Sequence, residues 1–117
     1  MNIFARVRSA LLPLGLPAYP DKVIVNSGQT IPDEFLVYFM VANVGEQFAD
    51  GSELLRQRTV QVTVYKRNGL TTLPNVKGAM ITAGFQPGPE RQIPLNDETG
   101  HYGWSMDFNY LEDAAEA

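Results

Sequence analysis

A chain of 117 residues that is 44% apolar, with six Phe, five Tyr and one Trp, has the size and content of a single folded domain. It has no cysteine, which excludes disulfides, thiolate chemistry and Cys-based zinc or iron–sulfur sites. A net charge of −4 argues against general nucleic-acid binding.

The start, MNIFARVRSALLPLGLP, keeps its arginines inside the apolar stretch and has no run long enough for a signal core. Nothing approaches the roughly 20 apolar residues that span a bilayer, so the expectation is a soluble protein with no membrane partner. Ile3, Val7, Ala10, Leu11 and Leu14 recur at spacings of three and four, which predicts a helix. Asn2 can cap it, and Pro13 is expected to end it by pushing Leu12 out of the helical region. PLGLPAYP reads as a stiff, extended connection. KVIV at 22–25 reads as a short strand, and NSGQTIPDE as a turn-rich loop.

FLVYFMVANV, residues 35–44, is apolar on both faces and predicts a central strand covered on both sides, or on one side by a partner molecule. Residues 44–53 read as a long polar loop with Phe48 at its centre. RQRTVQVTVYKR is the next strand, with Val60, Val62 and Val64 inward and Thr59, Gln61 and Thr63 outward. The two strands should form an antiparallel hairpin. Leu73, Val76, Met80 and Ala83 then make a helical stripe, with Thr72 as N-cap and Gly84 as stop. FQPGP through Ile93 is a weak strand at most, confined by proline to an edge or a bulge.

From His101 to Tyr110 the residues alternate strictly. Tyr102, Trp104, Met106, Phe108 and Tyr110 face one way, and His101, Gly103, Ser105, Asp107 and Asn109 the other. This is the closing strand, and its aromatic side is expected to build the core. The fold class that follows is α+β: a single antiparallel or mixed β-sheet with two helices packed on one face. The whole chain, 1–117, is one domain, with 112–117 as an acidic tail.

The chemistry expected of an enzyme is missing. His101 is the only histidine, so no His-pair metal site exists. His101 and Asp107 share a strand face but lie about 20 Å apart at about 3.3 Å per residue, too far for a hydrogen-bonded pair. Asn96, Asp97 and Glu98 in LNDETG lack the spacing of a calcium loop and read as a turn. No glycine pattern cradles a phosphate. No catalytic, cofactor-binding or metal residue is assigned, and the chain is not expected to be an enzyme.

Charge is uneven along the chain. Residues 51–89 hold Arg56, Arg58, Lys66, Arg67 and Lys77 against Glu53 alone. Residues 90–117 hold Arg91 against Glu90, Asp97, Glu98, Asp107, Glu112, Asp113 and Glu116. A basic middle and an acidic end offer two complementary patches, which a head-to-tail contact between copies requires.

Read together, the early apolar helix, PDE followed by FLVYFMV, VQVTVYKRNGL, ITAGFQPG and DETGHYGWSMDFNYLED resemble the tail-completion proteins of long-tailed bacteriophages. These are also called tail terminators or head-to-tail joining proteins. The resemblance covers about residues 30–112. It departs at Pro74-Asn75 and Lys77-Gly78, where the family has a longer and more charged helix. It implies a cofactor-free structural protein of the virion tail, assembled in the bacterial host cytoplasm. Such a protein forms a ring, usually a homo-hexamer, that caps the tail tube. Its partners are the tail-tube protein and a head connector or neck protein, and DNA passes through the ring without sequence-specific binding. The other reading is a monomeric, non-viral binding module for a peptide or small ligand. Candidate contacts with a subunit or partner are Glu46, Phe48 and Asp50 in the polar loop, and Arg56, Arg58 and Lys66 at the strand ends. Ser105, Asp107 and Asn109 on the polar strand face complete the set.

Overall fold

A computed structural model describes residues 2–21, 30–49 and 52–113, with the backbone alone over 42–49, 52–56 and 112–113. Helix α1 (Ile3–Leu11) begins where the sequence places it, with the Asn2 side chain accepting the Ala5 N–H at 2.8 Å. Leu12 is not driven out of the helical region by Pro13. It keeps φ −53° and ψ −42°, and the helix tightens into a 3-10 turn, Leu12–Leu14, closed by Gly15 at φ +71°. A proline near the start of a short turn gives up an N–H that needs no partner, so the preceding residue's bias is overruled.

The supposed connector contains strand β1 (Ala18–Pro20), parallel to β2 (Glu34–Ala49). The Leu36 N–H donates to the Pro17 carbonyl at 2.8 Å, and the Asp21 N–H to the Tyr38 carbonyl at 2.9 Å. Asp21 then takes φ +67°, a left-handed turn that a short polar side chain tolerates. The strand expected at 22–25 lies outside the described residues, as do 26–29 of the following loop.

β2 and β3 (Ser52–Lys66) form the expected antiparallel hairpin, but the loop expected at 44–53 is mostly strand. Pairing continues through Gly45↔Arg56 to Ala49↔Ser52, with register shifts between Met40 and Ala42, Gly45 and Gln47, and Gln47 and Phe48. Backbone ladders do not need apolar side chains, and bulges absorb an irregular sequence.

Helix α2 (Val76–Thr82) starts later than expected. Asn75, not Thr72, caps it by accepting the Gly78 N–H at 3.0 Å. Gly78 fits because a Cβ there would lie 2.4 Å from the Asn75 amide. Gly84 ends the helix at φ +98°, as its position in the sequence implies. β4 (Gln86–Asn96) is an edge strand carrying Pro87, Pro89 and Pro94, longer than expected and interrupted by two register shifts. β5 (His101–Asp113) takes in the backbone of Glu112 and Asp113, so the segment beyond the strand begins later than 112.

The strand order is β1-β2-β3-β5-β4, with β1 parallel and every other pair antiparallel. One mixed sheet with both helices on one face is the α+β arrangement the element order implied. The core gathers Ile3, Val7 and Leu11 of α1 and Val76 and Met80 of α2. From the sheet it takes Leu36, Tyr38, Val60, Val62, Val64, Met106 and Phe108, and Phe85 comes from the turn after α2. On the opposite face Phe35 and Val37 are buried as well, which accounts for the two-sided apolar pattern of β2. Gln61 and Thr63, expected to point outward into water, are buried beside them.

Candidate functional site

The face of β5 opposite the helices is a hydrogen-bonded layer. The Gln61 amide donates to the Ser105 hydroxyl, and the Thr63 hydroxyl reaches it at 3.4 Å. Four residues along, the Gln57 amide and the Thr59 hydroxyl both donate to the Asn109 side-chain oxygen, at 3.1 and 2.7 Å. Register explains the set: Gln61 stands opposite Asp107, Thr63 opposite Ser105 and Thr59 opposite Asn109, so short polar groups meet across the strands. Ser105 is wholly inaccessible. It does not offer a partner the surface expected of it, because its hydroxyl is already held inside the sheet. Asn109 is half-buried and engaged in the same way.

Asp107 is also half-buried. One of its oxygens has no hydrogen-bond partner and lies 4.0 Å from the Arg91 guanidinium on β4. Arg58 stands opposite Tyr110, and Arg56 opposite Glu112, on paired strands. The strand that carries part of the basic middle is therefore paired with the strand that leads to the acidic end. Lys77–Glu90 at 2.8 Å and Arg67–Asp33 at 2.6 Å pair three further charges of these segments within the chain, Arg67 and Lys77 of the middle and Glu90 of the end. Lys66 binds the Thr72 carbonyl and stands 3.9 Å from Glu34, so it fastens the loop before α2. Glu46 and Phe48 belong to the β2 backbone described above, and Asp50 lies outside the described residues.

His101 and Asp107 have different neighbours. The His101 ring is buried, and Nε2 donates to the Pro32 carbonyl at 2.7 Å while the ring meets Phe35 edge-on at 5.0 Å. Arg67 grips the same loop, donating to the carbonyls of Ile31 and Thr99 and to Asp33. Sequence reasoning missed this clasp, since its acceptors are backbone carbonyls that no motif marks. Tyr65 stacks on Phe35 at 5.1 Å, and burial pushes its hydroxyl pKa up. Among the described residues, no group of three His, Cys, Asp or Glu side chains is placed to hold a metal ion. No helix among them is long and apolar enough to cross a membrane.

A cleft of about 620 Å³ lies between α1 with its 3-10 turn and α2. Its walls are small: Ala10, Gly78, Ala79 and Ala83 contribute, with Leu14 and Arg6 at the sides. The Arg6 guanidinium sits 4.4 Å from the centre of the Tyr110 ring. No family model matches the chain, and no curated protein sequence matches it.

Proposed function

We propose that this chain is a structural subunit that caps a phage tail tube and joins tail to head, working as a ring of copies. The observation that carries the reading is the length of the β2–β3 hairpin. Met40 and Val60 pair within the helix-covered core, and the hairpin continues from them to Ala49↔Ser52. Those nine further residues of β2 extend about 30 Å at about 3.3 Å per residue. A hairpin of that length is stabilised by packing against another surface, which a neighbouring copy can supply. Val41 and Leu111, each 50% exposed, are large apolar side chains on the face opposite the helices.

The resemblance of VQVTVYKRNGL, AGF and DETGHY to tail-completion proteins points the same way. The competing reading, a monomeric binding module, draws on the 620 Å³ cleft. That cleft lies between two helices, however, and not between sheet and helix where such a module would bind. Sedimentation velocity across a concentration series, with electron microscopy of the densest fraction, tests the proposal. Rings are expected, alone or with tail-tube subunits. Monomers throughout, even with those subunits present, would sink it.

A further inference from the structure

The cleft between the helices has the shape and charge of a receptor. Neither helix carries an acidic residue, and Arg6 is the one charged side chain in the lining. Among the described residues Arg6 has no carboxylate partner, and its Nε is buried without a hydrogen bond. Alanines and a glycine make much of the walls, beside Ser9, Asn75 and Thr82, so a backbone carrying small side chains can approach closely.

We infer that this cleft receives the acidic end of a second copy of the chain, with residues 114–117 (AAEA) seated between the helices and Glu116 meeting Arg6. The segment supplies what the cleft lacks: alanines for the small-residue walls, and Glu112, Asp113 and Glu116 for the guanidinium. The occupant comes from another copy because of where β5 leads. Tyr110 touches Arg6, but β5 stays paired with β3 as far as Asp113↔Leu55, so the strand runs on past its own cleft. Cleft and strand end are different surfaces, so each copy gives one contact and accepts one. That arrangement closes into rings or extends into filaments. The inference rests on the assembly reading for its second copy, and it moves the contact from the basic middle strand to α1. One such contact is weak, and closure of a ring multiplies it without new surface.

The test uses the full chain. Sedimentation velocity at low and high salt compares the unaltered protein with Glu112→Lys/Asp113→Lys/Glu116→Lys, with Arg6→Glu and with Ala79→Leu. Arg6 also stacks on Tyr110, so Ala79→Leu, which narrows the cleft from the α2 side, is the independent variant. Each alteration is expected to weaken self-association, the charge changes by roughly two- to five-fold for every ion pair removed and Ala79→Leu by at least as much through lost space in the cleft. Mixing the Arg6→Glu chain with the triple-Lys chain should restore it. A synthetic peptide of residues 110–117 should shift the amide NMR signals of Ala10, Gly78, Ala79 and Ala83. Undiminished association of the triple-Lys and Ala79→Leu chains would overturn the inference and leave the assembly reading standing. Monomers of the unaltered chain at every concentration, with no peptide shifts, would overturn both. Cleft signals that move on removing 114–117 from dilute, monomeric protein would replace the second copy with the chain's own end.

Discussion

Val60, Val62 and Val64 point toward the helices and are wholly inaccessible, while Gln61 and Thr63, their neighbours on β3, are 7% and 4% exposed on the opposite side. One strand is thus buried on both faces by different means. The valine face is held by volume, where apolar groups exclude water and fill space. The glutamine–threonine face is held by pairing, where each polar group needs its partner on β5. A methyl group removed from the first leaves a void, whereas a hydroxyl removed from the second leaves a buried donor unsatisfied.

That contrast can be broken most forcefully on the apolar side. Phe108→Ala, at the centre of the core, should cost about 3–5 kcal/mol in urea unfolding, and a loss under about 1 kcal/mol would show that the helix layer does not pack as described. Next comes the crowding where β4 meets β5. A Cβ on Gly103 would stand 2.8 Å from the Ile93 Cβ, so Gly103→Val should destabilise by about 2–3 kcal/mol and broaden the β4 amide signals.

On the polar face, Ser105→Ala should cost about 1–2 kcal/mol by leaving the Gln61 amide unpaired. Adding Gln61→Leu should recover part of that loss. If the double variant is no better than the single, the two residues are not coupled and the pairing account fails. The smallest effect is electrostatic. The Lys77 ammonium, and then the Trp104 N–H, hold the Glu90 carboxyl below the usual carboxylate range. The folded state therefore binds that proton less tightly than the unfolded chain. The stabilisation is present above the unfolded value near pH 4.3 and is lost as pH falls through the lower folded value. Glu90→Gln should be slightly less stable than the parent at about pH 7, and the gap should close as the pH drops below about 4. A gap that persisted into acid would assign the contact a non-electrostatic role.

How much was legible follows the same division. Ile3, Val7 and Leu11 announce α1, and the valines of β3 and the alternation of β5 announce their strands, because core burial leaves a periodic signature. β1 left none: Ala18, Tyr19 and Pro20 carry too few residues for a period, and pairing with β2 alone makes them a strand. Residues 44–53 read as a loop because their side chains are polar, yet ladder hydrogen bonds belong to the backbone. Of the candidate contacts, Ser105 and Asn109 were placed on the right face but given the wrong environment. Alternation shows which side a residue occupies, and not how deeply its neighbours enclose it. Arg6 drew no attention because it flanks an apolar stripe, where an arginine ordinarily borders water. Its interest arises only when α2 packs across from it.

The three prolines of β4 have a colloidal consequence. Pro87, Pro89 and Pro94 each lack an N–H, and two register shifts bend the strand between them, so this border offers no unbroken row of donors. A stray extended peptide finds nothing there to copy. Concentrated solutions should therefore stay clear of fibres seeded on the β4 border, and Pro87→Thr/Pro89→Thr/Pro94→Thr is the change that should make them turbid.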